Sequence, residues 1–127
     1  MEPNFLDIPK SRILVENDLA FAILDKFPIS PGHTLIITKR LVKTWWETSE
    51  AEKVAVMSLL EKLKQLLDQR YAPDAFNVGF NAGAIAGQTI HHFHLHVIPR
   101  YRGDVLDPRG GIRKIFPEKA DYWSNSD

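Results

Sequence analysis

Thr89-Ile90-His91-His92-Phe93-His94-Leu95-His96-Val97-Ile98-Pro99 holds four of the chain's five histidines. The residues between them are mostly β-branched or apolar, and a proline closes the run, which predicts a buried strand from Ile90 to Ile98. Strand side chains alternate between the two faces of a sheet. His92, His94 and His96 therefore share one face, while Phe93, Leu95 and Val97 turn to the other, into a core. His91 belongs to that second face and reads as a peripheral polar residue. Three imidazoles in register on a rigid element titrate near neutrality and can act as nucleophile, base or ligand.

Composition narrows what that surface can act on. A chain of 127 residues is one domain, large enough for a single core. Its 16 basic and 16 acidic residues cancel, so a general electrostatic grip on nucleic acid or membrane is not indicated, which leaves room for a local cationic patch. Cysteine is absent, so disulfides and thiolate metal sites are excluded. The N-terminal Met1-Glu-Pro-Asn4 lacks the basic and apolar regions of a leader, and no stretch approaches the roughly 18 apolar residues of a membrane span. A cytoplasmic protein is the expectation.

Upstream of the histidines, Phe76, Val78 and Phe80 alternate with Asn77, Gly79 and Asn81, a half-buried strand by period. Ala82 to Gly87 is small and flexible, a loop whose backbone something can approach closely. Arg12–Glu16 and Leu19–Leu24, joined through Asn17-Asp18, predict a hairpin, and Thr34–Thr38 a further strand. Two prolines and Gly32 fix the loop before it. Ser49 with Glu52 has the form of a capping box. Val56, Leu59, Leu60, Leu63, Leu66, Leu67 and Tyr71 follow at helical spacing, predicting one long amphipathic helix from Ser49 to Arg70, ended by Ala72-Pro73. Strands around one such helix, with short turns, favour an α+β domain on an antiparallel sheet. The glycine-, proline- and charge-rich end divides the chain into a domain over 1–105 and a C-terminal extension over 106–127, expected to pack on or near the active site.

Metal binding is one use of the histidine row. Alternate strand residues lie ~6.7 Å apart, so the outer pair is separated by ~13 Å. Two neighbouring imidazoles can converge on a zinc at roughly 2.0–2.1 Å, and a third ligand would come from elsewhere, such as His33 or Asp25. Nucleophilic catalysis is the other. A neutral imidazole attacks phosphorus and forms a phosphoramidate that water cleaves. The middle residue, His94, has neighbours on both sides to fix its tautomer and bind phosphoryl oxygens. The segment Asn81 to Thr89 supplies the amides that cradle a phosphate.

Gly87-Gln-Thr-Ile-His-His-Phe-His-Leu-His-Val-Ile-Pro-Arg100 resembles the signature of the histidine triad (HIT) superfamily, His-φ-His-φ-His-φ-φ with φ apolar, beginning here at His92. Asp25-Lys-Phe-Pro-Ile-Ser-Pro-Gly-His-Thr-Leu-Ile-Ile37 is similar to the family's loop-and-strand element, and with the helix the resemblance covers residues 5 to 102. It implies an α+β, HIT-like fold: a five-stranded antiparallel sheet with one long and one short helix, paired as a homodimer. It implies an enzyme that cleaves nucleotides at the α-phosphate through a covalent nucleotidyl-histidine. On that resemblance His94 is the nucleophile, His92 orients it partly through its carbonyl, and His96 contacts phosphate oxygens and the leaving group. His33 is a partner of the triad, Asp25 binds the ribose hydroxyls, and Asn81, Gln88 and Thr89 line the phosphate cradle. Ile8, Ile23 and Leu35 are placed around the base.

The cysteine pair that many bacterial relatives carry is missing, so no structural metal is expected. No cofactor is required, although a divalent cation such as Mg would accompany a polyphosphate. The third histidine stands where one branch has glutamine, which argues for hydrolysis over transfer between sugars. Pro31-Gly32-His33 and the end Arg102–Lys119 are similar to fragile-histidine-triad and bacterial diadenosine polyphosphate hydrolase members. The expected substrates are therefore purine nucleotides of the dinucleoside polyphosphate kind, such as diadenosine tetraphosphate, with release of a nucleoside monophosphate. Arg109, Arg113 and Lys114 could neutralise a polyphosphate leaving group. Three alternatives stand beside this reading: hydrolysis of nucleoside phosphoramidates, a metal-dependent enzyme on the histidine strand, and a slow nucleotide-binding regulatory module.

Overall fold

Asn17 turns the first hairpin. Its Oδ1 accepts from the N–H groups of Leu19 and Ala20, at 3.1 and 3.0 Å, and its Nδ2 donates to the Ala55 carbonyl at 2.9 Å. One side chain thus closes the turn between β1 (Ile13–Glu16) and β2 (Ala20–Leu24) and ties it to the helix α1 (Glu50–Tyr71). The other strands are β3 (Thr34–Thr38), β4 (Ala75–Gly79) and β5 (His94–Arg100). All five pair antiparallel in the order β1-β2-β3-β5-β4, so β5 is interior and β4 is an edge. The computed structural model describes residues 5–124; residues 1–4 of the expected domain and 125–127 of the expected extension lie outside them.

The predicted helix is present with its cap. Ser49 and Glu52 exchange side-chain and backbone bonds in a capping box, and the buried Glu52 carboxylate also receives the Arg40 guanidinium at 2.7 and 3.0 Å. At the other end Ala72 takes a left-handed conformation and Pro73 follows. Val56, Leu59, Leu63 and Leu67 are fully buried against Ala20, Ala22, Ile36, Leu95 and Val97. The two alanines on β2 let the helix come close to the sheet, and Asn17 anchors it there. A second cluster, Phe5, Phe21, Ile23, Leu35 and Ile37, lies on the opposite face.

The histidine strand differs from expectation at both ends. It begins at His94 rather than Ile90, because residues 90–93 bend away and the Phe93 N–H is taken by the Val42 carbonyl at 2.7 Å. It also runs through Pro99. That residue lies beyond Thr34↔Val97, the last β3–β5 pair, and its carbonyl accepts from Ser30 Oγ at 2.7 Å. A missing N–H there breaks no ladder bond. The β4 strand stops at Gly79, and Phe80 leaves it to stack on Trp45. Helical structure beyond α1 consists, among the described residues, of 3-10 turns, the longest being Gly111–Ile115. The chain end folds largely on itself, with Arg109 over the Trp123 ring and Arg113 over Tyr122, while Gly111 approaches Asn77. No helix among the described residues is long and apolar enough to cross a membrane.

Candidate active site

Antiparallel register aligns the site in rows. Directly paired residues point to the same face, so Ile13, Ile23, Leu35, His96 and Gly79 form one row across all five strands, and Phe21, Ile37 and His94 lie on the next. Along β5 burial alternates as the pleat requires: His94, His96, Ile98 and Arg100 are half-buried, and Leu95, Val97 and Pro99 are buried on the helix side. His92 sits just before the strand, buried, and His91 is exposed.

Hydrogen bonds assign the protons. His94 Nδ1 lies 2.7 Å from the His92 carbonyl, which can only accept, so Nδ1 carries the proton and Nε2 keeps a free lone pair. His92 Nε2 likewise donates to the Thr38 carbonyl at 2.7 Å, leaving its buried Nδ1 without a partner. The Phe5 ring meets both His92 and His94 edge to face, at 5.7 and 5.3 Å between centroids.

The other end of the row runs through side chains. The Ile29 N–H donates to His33 Nδ1 at 3.2 Å, so His33 holds its proton on Nε2. That proton points to His96 Nδ1 at 3.0 Å and to Asp25 Oδ2 at 3.4 Å. His96 therefore accepts at Nδ1 and carries its own proton on Nε2. Asp25 is itself fixed, with Oδ1 accepting from the Phe27 N–H at 2.8 Å. Burial pushes the imidazoles of His33 and His92 below the usual histidine range. His96 is pushed down to about 4, first by burial and then by the neighbouring His94 and His33. These three are neutral at physiological pH.

Asp25, His33 and His96 also place three possible ligand atoms within 4.8 Å of one another. A metal needs the lone pair of each nitrogen it binds. The Ile29 N–H occupies the lone pair at His33 Nδ1, which puts the proton on the nitrogen that would have to bind. The donor set therefore does not fit a metal unless the Ile29–His33 bond breaks and the His33 proton moves to Nδ1.

The loop between β4 and β5 is held from inside. Gln88 is buried; its Oε1 accepts from the Gly83 N–H at 2.9 Å, and its Nε2 donates to the carbonyls of Lys43 and Ile90 at 2.8 and 3.0 Å. Its amide gives the loop its shape instead of standing free toward a ligand. Asn81 and Thr89 are exposed on the same loop. Ile23 and Leu35 are buried in the second apolar cluster, with Ile8 packed against it.

A family model described as the HIT domain matches residues 8–103. The chain belongs to the HIT family. It is 41% identical over 92 residues to an uncharacterised 16.1 kDa HIT-like protein of Mycoplasma pneumoniae, covering 72% of this chain and 64% of that one. It is 30% identical over 122 residues to an AP-4-A phosphorylase of Mycobacterium tuberculosis, covering 90% of this chain and 62% of that one. The chain thus spans less than two thirds of the length of these relatives. A HIT family protein from Bacillus subtilis superposes with a TM-score of 0.71 at 30% identity, covering 77% of this chain and 69% of that one.

Within this HIT domain the structure brings His92, His94, His96, His33 and Asp25 together, with Ile23 and Leu35 in the same row as His96. Sequence reading missed Phe5, which touches two of the histidines, and Thr38, whose carbonyl fixes His92. An isolated aromatic before the first strand carries no periodic signal. A backbone acceptor carries none at all.

Proposed function

We propose that this protein hydrolyses dinucleoside polyphosphates, such as diadenosine tetraphosphate, through a nucleotide covalently held on His94. The observation that carries the reading is the opposed proton placement on His94 and His96. His94 Nε2 offers its lone pair to the α-phosphorus. A P–N bond forms and the P–O bond to the leaving polyphosphate breaks, the electron pair departing on oxygen. The imidazole becomes cationic while its Nδ1–H stays on the His92 carbonyl, which stabilises that charge. Water then attacks phosphorus, the pair of the P–N bond returns to Nε2, a proton leaves to solvent, and a nucleoside monophosphate is released. His96 Nε2–H donates to a phosphoryl oxygen throughout.

That last point favours polyphosphate over amine leaving groups. An amine must gain a proton as it departs, and a neutral His96 whose Nδ1 already accepts from His33 is a poor source of one. A polyphosphate leaves as a stable anion, and a divalent cation such as Mg would accompany it. The likeness to an AP-4-A phosphorylase supports the substrate class. We also assign a homodimer, formed through the open β4 edge with exposed Val78 and, on α1, exposed Val54 and Met57; sedimentation of a monomer would remove it.

The test assays diadenosine tetraphosphate and adenosine 5′-phosphoramidate in parallel, with and without inorganic phosphate. AMP from the first, and labelled nucleotide trapped on the wild type but not on His94→Ala, are expected. His94→Ala should lower turnover on the order of 10⁴-fold or more without unfolding the protein. Better turnover of the phosphoramidate would overturn the substrate assignment, and ADP formed only with phosphate would turn hydrolysis into phosphorolysis. Wild-type rates in His94→Ala would remove the mechanism.

A further inference from the structure

The row Ile13–Ile23–Leu35–His96 ends on the edge strand at Gly79. At this last residue of β4, neither a positive φ nor a bulge explains a glycine. Its φ is not among the positive values, and the β4–β5 register runs without a shift from Ala75↔Arg100 to Gly79↔His96, so there is no bulge. Packing does not explain it either, because an added Cβ would meet nothing within 4 Å. Glycine weakens a strand, and where neither a bulge nor a positive φ calls for it, it marks a place where a ligand or another backbone comes close.

We infer that Gly79 and Asn77 form the lane by which the leaving group crosses β4, so that position 79 sets how bulky a leaving group the site accepts. This rests on the reading of His94 as the nucleophile. The apolar rows on β1, β2 and β3 take the nucleoside side of the substrate. Adjacent strands are ~4.8 Å apart, and along the row the remaining direction from His96 is over β4. A side chain at 79 would project beside the His96 imidazole; glycine leaves bare backbone there.

Asn77 supplies the chemistry of the lane. It pairs with Ile98 and so shares the site face, ~6.7 Å along β4 from Gly79. Arg100 Nη1 donates to Asn77 Oδ1 at 2.6 Å, and Asp104 holds the same guanidinium at 2.8 and 2.9 Å. The amide is thereby oriented with Nδ2, a pure donor, left for a ligand oxygen. A Cβ added at Gly111 of the chain end would stand 3.5 Å from that nitrogen, so the chain end bounds the lane. A bulky group rich in acceptor oxygens, as in a polyphosphate chain, fits this arrangement.

The test uses the full chain with Gly79→Leu and the milder Gly79→Ser. Neither needs an unusual backbone, and a larger side chain suits a strand. Expected is a fall in kcat/KM for diadenosine tetraphosphate of about 10-fold or more in Gly79→Leu, smaller in Gly79→Ser. Adenosine 5′-phosphoramidate, whose leaving group is ammonia, should change by less than about 2-fold. Equal losses on both substrates, or none on either, would overturn the lane. A binding arm keeps it separate from the hydrolase reading: in a His94→Ala background, Gly79→Leu should weaken diadenosine tetraphosphate and leave AMP unchanged, whatever the wild type hydrolyses. Equal affinities for diadenosine tetraphosphate with and without the substitution would refute the lane alone.

Discussion

His94 and His96 stand two residues apart on one face of one strand, yet they hold their protons on opposite nitrogens. The difference lies in what each Nδ1 meets. His94 meets the main-chain carbonyl of His92, an acceptor that no substitution removes while the backbone keeps its path. His96 meets the Nε2–H of His33, a side-chain donor whose own proton is fixed by the Ile29 amide. One end of the row is built from strand geometry. The other is built from the loop between β2 and β3. An imidazole's role therefore follows from the atom at its second nitrogen, and the two ends should fail in different ways.

Removing the relay should separate them most. His33→Ala deletes the donor to His96 Nδ1 while leaving the His92–His94 bond intact. The expected result is a loss in kcat on the order of 10²-fold, with little change in KM and with labelled nucleotide still trapped on His94. His33→Gln retains a donor of similar reach and should recover part of the rate. Nitrogen NMR should show His96 losing its fixed tautomer in His33→Ala while His94 keeps its own. An equal loss in both variants, with no tautomer change, would reduce His33 to a packing residue. The loop is correspondingly exacting: Gly32, at φ 86°, has no room for a Cβ, which would stand 2.9 Å from the Tyr71 ring.

Acid should attack the His96 end through stability. Burial holds the folded-state values of His33, His92 and His96 below the usual 6.5, so the unfolded chain binds more protons than the folded one in that range. Stability is then complete above about 6.5 and is lost as pH falls toward 4. For His96 the loss between pH 7.5 and pH 5 should be about 2 kcal/mol, read from urea unfolding. Glu52, held below the usual carboxylate range by Arg40, contributes in the same direction only at lower pH. His96→Asn should flatten the slope, and an unchanged slope would show that His96 does not carry it.

The contrast between the ends also marks how far the sequence could be read. Period two put His92, His94 and His96 on one face because side-chain direction is a local property of a strand. The helix was legible from Val56 to Leu67 and from the Ser49–Glu52 box for the same reason. What escaped depended on partners distant in sequence. The strand starts at His94 because the Val42 carbonyl takes the Phe93 amide, 51 positions away in the chain by the numbering. Gln88 looked like a phosphate ligand by type, and only the folded loop shows its amide bonded to Gly83, Lys43 and Ile90. Thr38 acts through its carbonyl, which every residue has.

Phe5 provides the smallest and most selective probe of the comparison. Its ring meets His92 and His94 edge to face, and it closes the second apolar cluster above Ile23 and Leu35. It lies among neither the bonds of His33 nor those of Asp25. Phe5→Leu keeps an apolar group of moderate size and removes the aromatic edge contacts, which are worth about 0.5–1.5 kcal/mol beyond area. The expected effect is a fall of several-fold in kcat/KM for the nucleotide, with stability lowered by about 1 kcal/mol. The His96 tautomer and the part of the acid slope that His96 carries should not move. If they do move, the two ends are coupled through the histidine row itself, and the protons of His94 and His96 must then be treated as one system.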